Sequence, residues 1–242
     1  MKLKILNTGS AGNCFILENE REALIIEAGV RFIEIKKALN FDLGKVVACL
    51  LSHEHLDHSK SAKELFQAGV QVYASKGTFE AINLQTFGTT LKHLKQRQIG
   101  NFKIIPFNVE HDAKEPLGFL INHWETGNIL FATDTAFLNY KFPNLNQIII
   151  EANFSEEILK QKTTNENIFL SARIIKNHLS IEKCIDFLRM NDLKQVNNIV
   201  LIHLSDRNSH EKEFYNKIHN ETNKNVHVAN KNEVINFNLT PF

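Results

Sequence analysis

Cysteine, proline, glycine and tryptophan are all scarce in this chain, at 3, 4, 10 and 1 of 242 residues. Cys14, Cys49 and Cys184 are odd in number, widely spaced and set among apolar neighbours. That excludes a disulfide framework and a Cys-x-x-Cys site, and reads as buried thiols in a reducing compartment. So few prolines and glycines leave no linker, repeat or low-complexity tract. Residues 1–242 therefore read as one domain, and 43% hydrophobic content is enough for a sizeable core. No apolar run approaches the roughly 18 residues of a membrane span. The opening Met1-Lys2-Leu3-Lys4-Ile5-Leu6 turns polar at Asn7, too soon for a signal peptide. No membrane association and a cytoplasmic location are the expectation. A formal net charge of +1 also excludes a uniformly basic nucleic-acid coat, so any phosphate-binding surface must be local.

What the chain does have is clustered histidine: His53-Glu54-His55-Leu56-Asp57-His58. This stretch follows Val46-Val47-Ala48-Cys49-Leu50-Leu51, an apolar, β-branched run that predicts a buried strand. Extended backbone puts alternate side chains on one face, so His53, His55 and Asp57 are expected to converge from the strand's end. His58 and a helix over residues 60–68 then turn the chain back and bring a fourth ligand from another side. Imidazole plus carboxylate is the ligand set of zinc and similar divalent ions. Three further apolar runs, at residues 102–109, 128–133 and 198–202, lead to His111, Asp134 and His203. Each alone reads as a hydrogen-bonded edge residue; the ordered series reads as a metal site.

Elsewhere, periodicity predicts strands near residues 2–6, 15–17, 23–26, 70–73, 102–107, 118–122, 128–132 and 199–202. Helices are predicted at 31–39, 77–83, 91–97, 155–161, 166–176, 180–190 and 211–219, and Glu125-Thr126-Gly127 predicts a hairpin turn. This pattern supports an α/β chain with mostly mixed sheets.

The run from His53 to His58 matches the H-x-H-x-D-H motif, and with His111, Asp134 and His203 the chain resembles the metallo-β-lactamase-fold superfamily. The resemblance implies a four-layer αββα sandwich of two mixed β-sheets flanked by helices, with the site at one sheet edge. It also implies two divalent metal ions, zinc with manganese as the alternative. His53, His55 and His111 would hold one ion, and Asp57, His58 and His203 the other. Asp134 would bridge them together with a hydroxide. The redox branch of the superfamily has glutamate at the position of His55, so the resemblance implies hydrolysis.

Two further motifs, Glu151-Ala152-Asn153-Phe154 and Asn177-His178-Leu179-Ser180, resemble the ribonuclease Z pattern. That likeness implies that Glu151 orients His178, and that His178 contacts the scissile phosphate and helps protonate the leaving oxygen. Read on its own, His178 simply precedes a helix for which Ser180 is a good N-cap. Asp57, Glu151 and His178 are the candidate catalytic residues. The resemblance is closer still to a branch of compact bacterial double-strand DNA exonucleases, on Gly9-Ser10-Ala11-Gly12-Asn13, Glu110-His111-Asp112-Ala113, Ala132-Thr133-Asp134 and the two motifs above.

There are two departures. Glu27-Ala28-Gly29 stands where the family has aspartate, a carboxylate expected to support the metal loop without binding metal. The long transfer-RNA-gripping arm of ribonuclease Z has no counterpart. The implied activity is a phosphodiesterase or nuclease acting on DNA or RNA, with nucleic acid or nucleotide as partner and a homodimer as an option. A phosphodiesterase for small cyclic or oligomeric nucleotides stays open. So do a thioester, lactone or β-lactam hydrolase, which needs no Glu151–His178 pair, and a non-catalytic binding module. Weaker signals are Arg207 as a phosphate clamp and the basic group Lys92, His93, Lys95, Arg97 and Lys103.

Overall fold

The computed structural model describes residues 1–86 and 88–240. Its first sheet is built from β1 (Lys2–Asn7), β2 (Cys14–Glu18), β3 (Ala23–Ile26), β4 (Val46–Leu50), β5 (Val72–Ala74), β6 (Thr89–Thr90) and a late strand, β14 (Glu233–Asn236). The second comprises β7 (Arg97–Ile99), β8 (Phe102–Asn108), β9 (Leu117–His123), β10 (Gly127–Ala132), β11 (Leu145–Glu151), β12 (Asn198–Ile202) and β13 (Asn225–Val228). The spatial orders are β14-β1-β2-β3-β4-β5-β6 and β13-β12-β11-β10-β9-β8-β7. Both sheets are mixed. Antiparallel pairing (β14-β1-β2-β3 and β7-β8-β9-β10) gives way to parallel strands, joined through helices except between β10 and β11, where the loop at 133–144 makes the connection.

Three apolar clusters make the four layers. Between the sheets, Leu3, Phe15, Leu24, Ile26 and Leu50 meet Phe102, Phe119, Ile121, Phe131, Ile149 and Val200. Phe15 and Phe131 cross edge-on with centroids 5.6 Å apart. Alternate residues of the same strands face outward. Cys14, Ile16, Ile25 and Cys49 pack under α1 (Phe32–Ala38), α3 (Ala62–Gln67) and α4 (Lys76–Ala81). Leu130, Ile148, Ile150, Ile199 and Leu201 pack under α7 (Ile181–Met190) and α8 (Glu211–Thr222). Each of these side chains contributes about 1.5–3 kcal/mol on full burial. The four-layer αββα arrangement is the one expected. All three cysteines are buried free thiols, and burial pushes Cys14 and Cys184 above their ordinary values.

Two local expectations are corrected. Residues 91–97 form no helix. Leu91 donates its N–H to Ala74 and Leu94 donates to Pro106, so long-range pairing takes this stretch and delivers it to β7. Residues 60–68 do not begin the helical region either, because α2 (Leu56–Ser59) already includes Asp57 and His58. Strand alternation therefore ends before Asp57. Among the described residues no helix is long and apolar enough to cross a membrane.

Candidate metal centre

Most of the expected site residues lie at the carboxyl ends of strands or in the loops that follow them; Asp57 and His58 sit in a short helix, and His178 caps the carboxyl end of the helix Ile168–Asn177. His53 and His55 come after β4, which ends at Leu50. Asp57 and His58 occupy the first turn of α2, so the helix, not strand alternation, aims them at the cluster. Three residues there have left-handed backbone: Glu27 after β3, Asp134 after β10 and His203 after β12, with φ of 65°, 46° and 55°. Such conformations persist only where the surroundings impose them, and they gather at functional sites.

The helical turn carrying Asp57 and His58 is clamped by backbone hydrogen bonds. Asn13 N–H donates to Asp57 O at 2.6 Å, Ala28 N–H to His58 O at 2.7 Å, and Gly29 N–H to Asn13 O at 2.8 Å. A Cβ on Gly29 would stand 1.7 Å from Asp57 O, so only glycine lets these loops meet. Asn13 Nδ2 also lies 3.1 Å from His58 Nε2. The Ser10-Ala11-Gly12-Asn13 turn is thus part of the site's scaffold. Glu27, wholly buried, accepts the Ser52 N–H at 3.2 Å and faces His58 Nδ1 at 3.4 Å.

Around this frame the donor atoms converge. His55 Nδ1 lies 3.0 Å from His53 Nε2 and 3.2 Å from His111 Nε2. Nitrogens around a tetrahedral ion at 2.0–2.1 Å are themselves about 3.3 Å apart, so this spacing suits a zinc-type cation. The tautomer suits it too. His111 Nδ1 faces the Asn177 carbonyl at 2.9 Å and must donate there, which leaves Nε2 as a bare lone pair aimed inward. Burial holds the His53 and His111 imidazoles below their ordinary pKa, favouring the neutral, ligating form.

A second set neighbours the first. His58 Nε2 is 3.4 Å from Asp57 Oδ2, and His203 Nε2 is 4.0 Å from the same oxygen. Asp134 spans this second set: Oδ2 stands 3.0 Å from His58 Nε2, and Oδ1 stands 3.2 Å from the Nδ1 atoms of His178 and His203. Metal-compatible groupings of these atoms comprise His53–His55–His111, His53–His58–Asp134, Asp57–His58–His203 and Asp134–Glu151–His178–His203. In the second set burial opposes the charged imidazole, but Asp134 and Glu27 outweigh it and raise the His58 pKa. The anionic pocket draws positive charge, a demand that divalent cations satisfy.

Glu151 ends β11 wholly buried and accepts from four donors. Thr135 N–H (3.1 Å) and Leu179 N–H (3.0 Å) meet Oε2, while His178 Nδ1 (2.7 Å) and His203 Nδ1 (3.0 Å) meet Oε1. The sequence paired Glu151 with His178; its further contact with His203, at 3.0 Å, carries no sequence signal. Against burial, Glu151 and Asp134 hold the His178 pKa up at about 10.

A cleft of 360 Å³ opens onto the cluster, lined by His55, His111, Asp134, His178 and His203 and also by Ser10, Asp112 and Arg173. Arg173 went unrecognised because nothing in its sequence context marks it. The residue singled out instead, Arg207, is not among those that line the cleft. Among the described residues, a larger cavity of 620 Å³ around Glu18 and Trp124 holds no comparable convergence of ligands.

Comparison with known proteins places the chain. The metallo-beta-lactamase superfamily model matches residues 7–145. The exodeoxyribonuclease WalJ of Streptococcus pneumoniae is 28% identical over 226 residues, covering 86% of this chain and 83% of WalJ. Among solved structures, the metallo-beta-lactamase fold protein YhfI of Bacillus subtilis superposes with a TM-score of 0.75 at 16% identity, covering 97% and 98% of the two chains. The short form of human tRNase Z superposes at 0.63 and 16% identity, covering 98% and 99%. The two structural likenesses speak to the fold.

Proposed function

Because this chain belongs to the metallo-beta-lactamase superfamily and is a metal-dependent hydrolase, we propose that it is a nuclease, cleaving phosphodiester bonds of DNA or RNA with two divalent ions. His53, His55 and His111 would hold one ion, Asp57, His58 and His203 the second, and Asp134 would bridge. Mixed imidazole and carboxylate donors favour zinc, with manganese as the alternative. When bound, such a pair supplies an activated water and neutralises charge on phosphate oxygens.

The chain's own residues do the rest. Glu151 accepts the Nδ1–H of His178 at 2.7 Å, which fixes the imidazole's tautomer and leaves Nε2 for the cleft that His178 lines. There His178 donates to a phosphoryl oxygen and then protonates the leaving alkoxide. Asp57 and Asp134 hold His58 and His203 in register from the other side. Arg173, at the cleft edge, supplies a cation to a neighbouring phosphate. The observation that carries this reading is the Glu151–His178 pair beside Asp134. A thioester or lactone hydrolase has no need of a positioned acid there. The WalJ relative favours DNA.

The test is His178→Ala. Both metals should be retained, while cleavage of linear DNA falls about 10²–10⁴-fold, the usual worth of a positioned acid. The loss should be milder on bis-p-nitrophenyl phosphate, whose leaving group needs little protonation. Equal losses on the two substrates would assign His178 to binding or structure. A parent protein that cleaves neither DNA nor RNA would move it to another class of ester.

A further inference from the structure

One wall of the metal cleft is α6 (Ile168–Asn177), whose Leu170, Arg173, Ile174 and Asn177 share one face and line it. The carboxyl end of α6 is tied to the cluster through the Asn177 carbonyl, which accepts the His111 N–H at 2.9 Å. Its amino end stands clear. Phe169 is 87% exposed and Leu170 58%, and only Ser171 and Asn177 of this helix are buried. The far flank of α6 borders an apolar groove of 470 Å³ shared with Leu159 and Thr163 of the preceding segment.

A solvated phenylalanine adjoining Leu170 of the cleft wall, with Leu170 itself largely exposed, forgoes the burial that Phe15 and Phe131 obtain, so packing does not explain this apolar pair. The helix also carries charge of one sign: Arg173 and Lys176, with no aspartate or glutamate between Ile168 and Asn177. Arg173 lies 3.4 Å from Asp112, itself 3.4 Å from His111. An exposed aromatic beside cations is the physical form of a single-strand nucleic-acid platform, in which bases stack and the backbone meets positive charge.

Resting on the nuclease reading, we infer that α6 grips the substrate strand. Phe169 stacks on an unpaired nucleobase, Leu170 packs beside it, and Arg173 exchanges Asp112 for a backbone phosphate. From Phe169 to Asn177 the helix rises about 12 Å, the height of three to four stacked bases at about 3.4 Å each. The gripped base therefore lies three to four nucleotides from the phosphate being cleaved.

Steady-state kinetics on a single-stranded DNA oligonucleotide, with a 2-aminopurine walked along it, test this. Phe169→Ala should raise KM about 5- to 150-fold, the range for losing one stacked base, with little change in kcat. Phe169→Trp should restore it. In chelator, 2-aminopurine fluorescence should be quenched by the parent and not by Phe169→Ala. An unchanged KM with unchanged quenching overturns the inference and leaves the nuclease reading standing. So does a parent dimer that Phe169→Ala dissociates, since a second copy would then cover α6. A parent that hydrolyses bis-p-nitrophenyl phosphate but neither binds nor cleaves the oligonucleotide overturns both.

Discussion

Glu151→Gln should damage this protein more than its conservative shape suggests. The carboxylate is wholly buried and accepts from two backbone N–H groups and two imidazoles. An amide offers one accepting edge and one donating edge. Whichever way it turns, two of the four donors face an NH₂ group. If the oxygen serves His178 and His203, the N–H groups of Thr135 and Leu179 are orphaned, directly beside Asp134 and His178. If it serves the backbone, both imidazoles lose their anchor. Each buried donor left without an acceptor costs about 1–3 kcal/mol, so the substitution removes roughly 2–6 kcal/mol from a total that is typically 5–15.

For a chain of this length each kcal/mol is worth about 2–4 °C, which places the expected fall in Tm between about 4 and 24 °C. His178→Ala, by contrast, withdraws one donor and leaves Glu151 with three. The order of severity expected from a purely orienting Glu151 is therefore reversed: Glu151→Gln should lose more stability, and weaken metal retention about 10- to 100-fold through His203. Scanning calorimetry and elemental analysis of the two variants side by side measure this. A Glu151→Gln protein melting within about 2 °C of the parent with full metal content would refute the four-donor account.

Two other substitutions probe support away from the reacting atoms. Glu27→Asp draws the carboxylate back from the Ser52 N–H it now accepts at 3.2 Å, yet no ligand is removed. Metal content should survive and the rate should stay within about tenfold; complete metal loss would make Glu27 a ligand. Glu18 is partly buried, but Lys4 and Lys45 outweigh that burial and hold its carboxyl below the ordinary 4.5. A depressed folded pKa contributes stability above pH 4.5 that disappears as pH falls through the folded value. The urea midpoints of parent and Glu18→Gln should accordingly differ at pH 7 and converge as the pH is taken progressively below 4.5; a constant gap would contradict the assignment.

The metal cluster was legible because its residues sit at strand ends, where apolar runs stop and a polar residue interrupts them. His53, His55, His111, Asp134 and His203 could be found that way. The paths by which Asp57 and His58 arrive could not, since α2 begins at Leu56 and replaces strand alternation with a helical turn. Nor could Glu151's contact with His203, because β11 and β12 become neighbours only through parallel pairing across the intervening helices. The late pairing of β14 with β1 joins the two extremes of the chain, and no local pattern announces it. Leu91 to Arg97 looked helical by composition, but contacts with Ala74 and Pro106 decided otherwise. Arg173 was invisible because a lone arginine in a helix carries no spacing signal until the helix is laid against a cleft.

The central claim is that seven residues hold two divalent ions that drive phosphodiester cleavage. Metal-free protein should be titrated with zinc or manganese while bound metal and the cleavage rate on linear DNA are followed together. The account predicts that activity climbs to its plateau at two equivalents, and that Asp134→Ala, which removes a carboxylate grouped with His53 of the first set and His58 of the second, neither binds two ions nor recovers activity. Saturation at one equivalent, or full activity in Asp134→Ala, would contradict it.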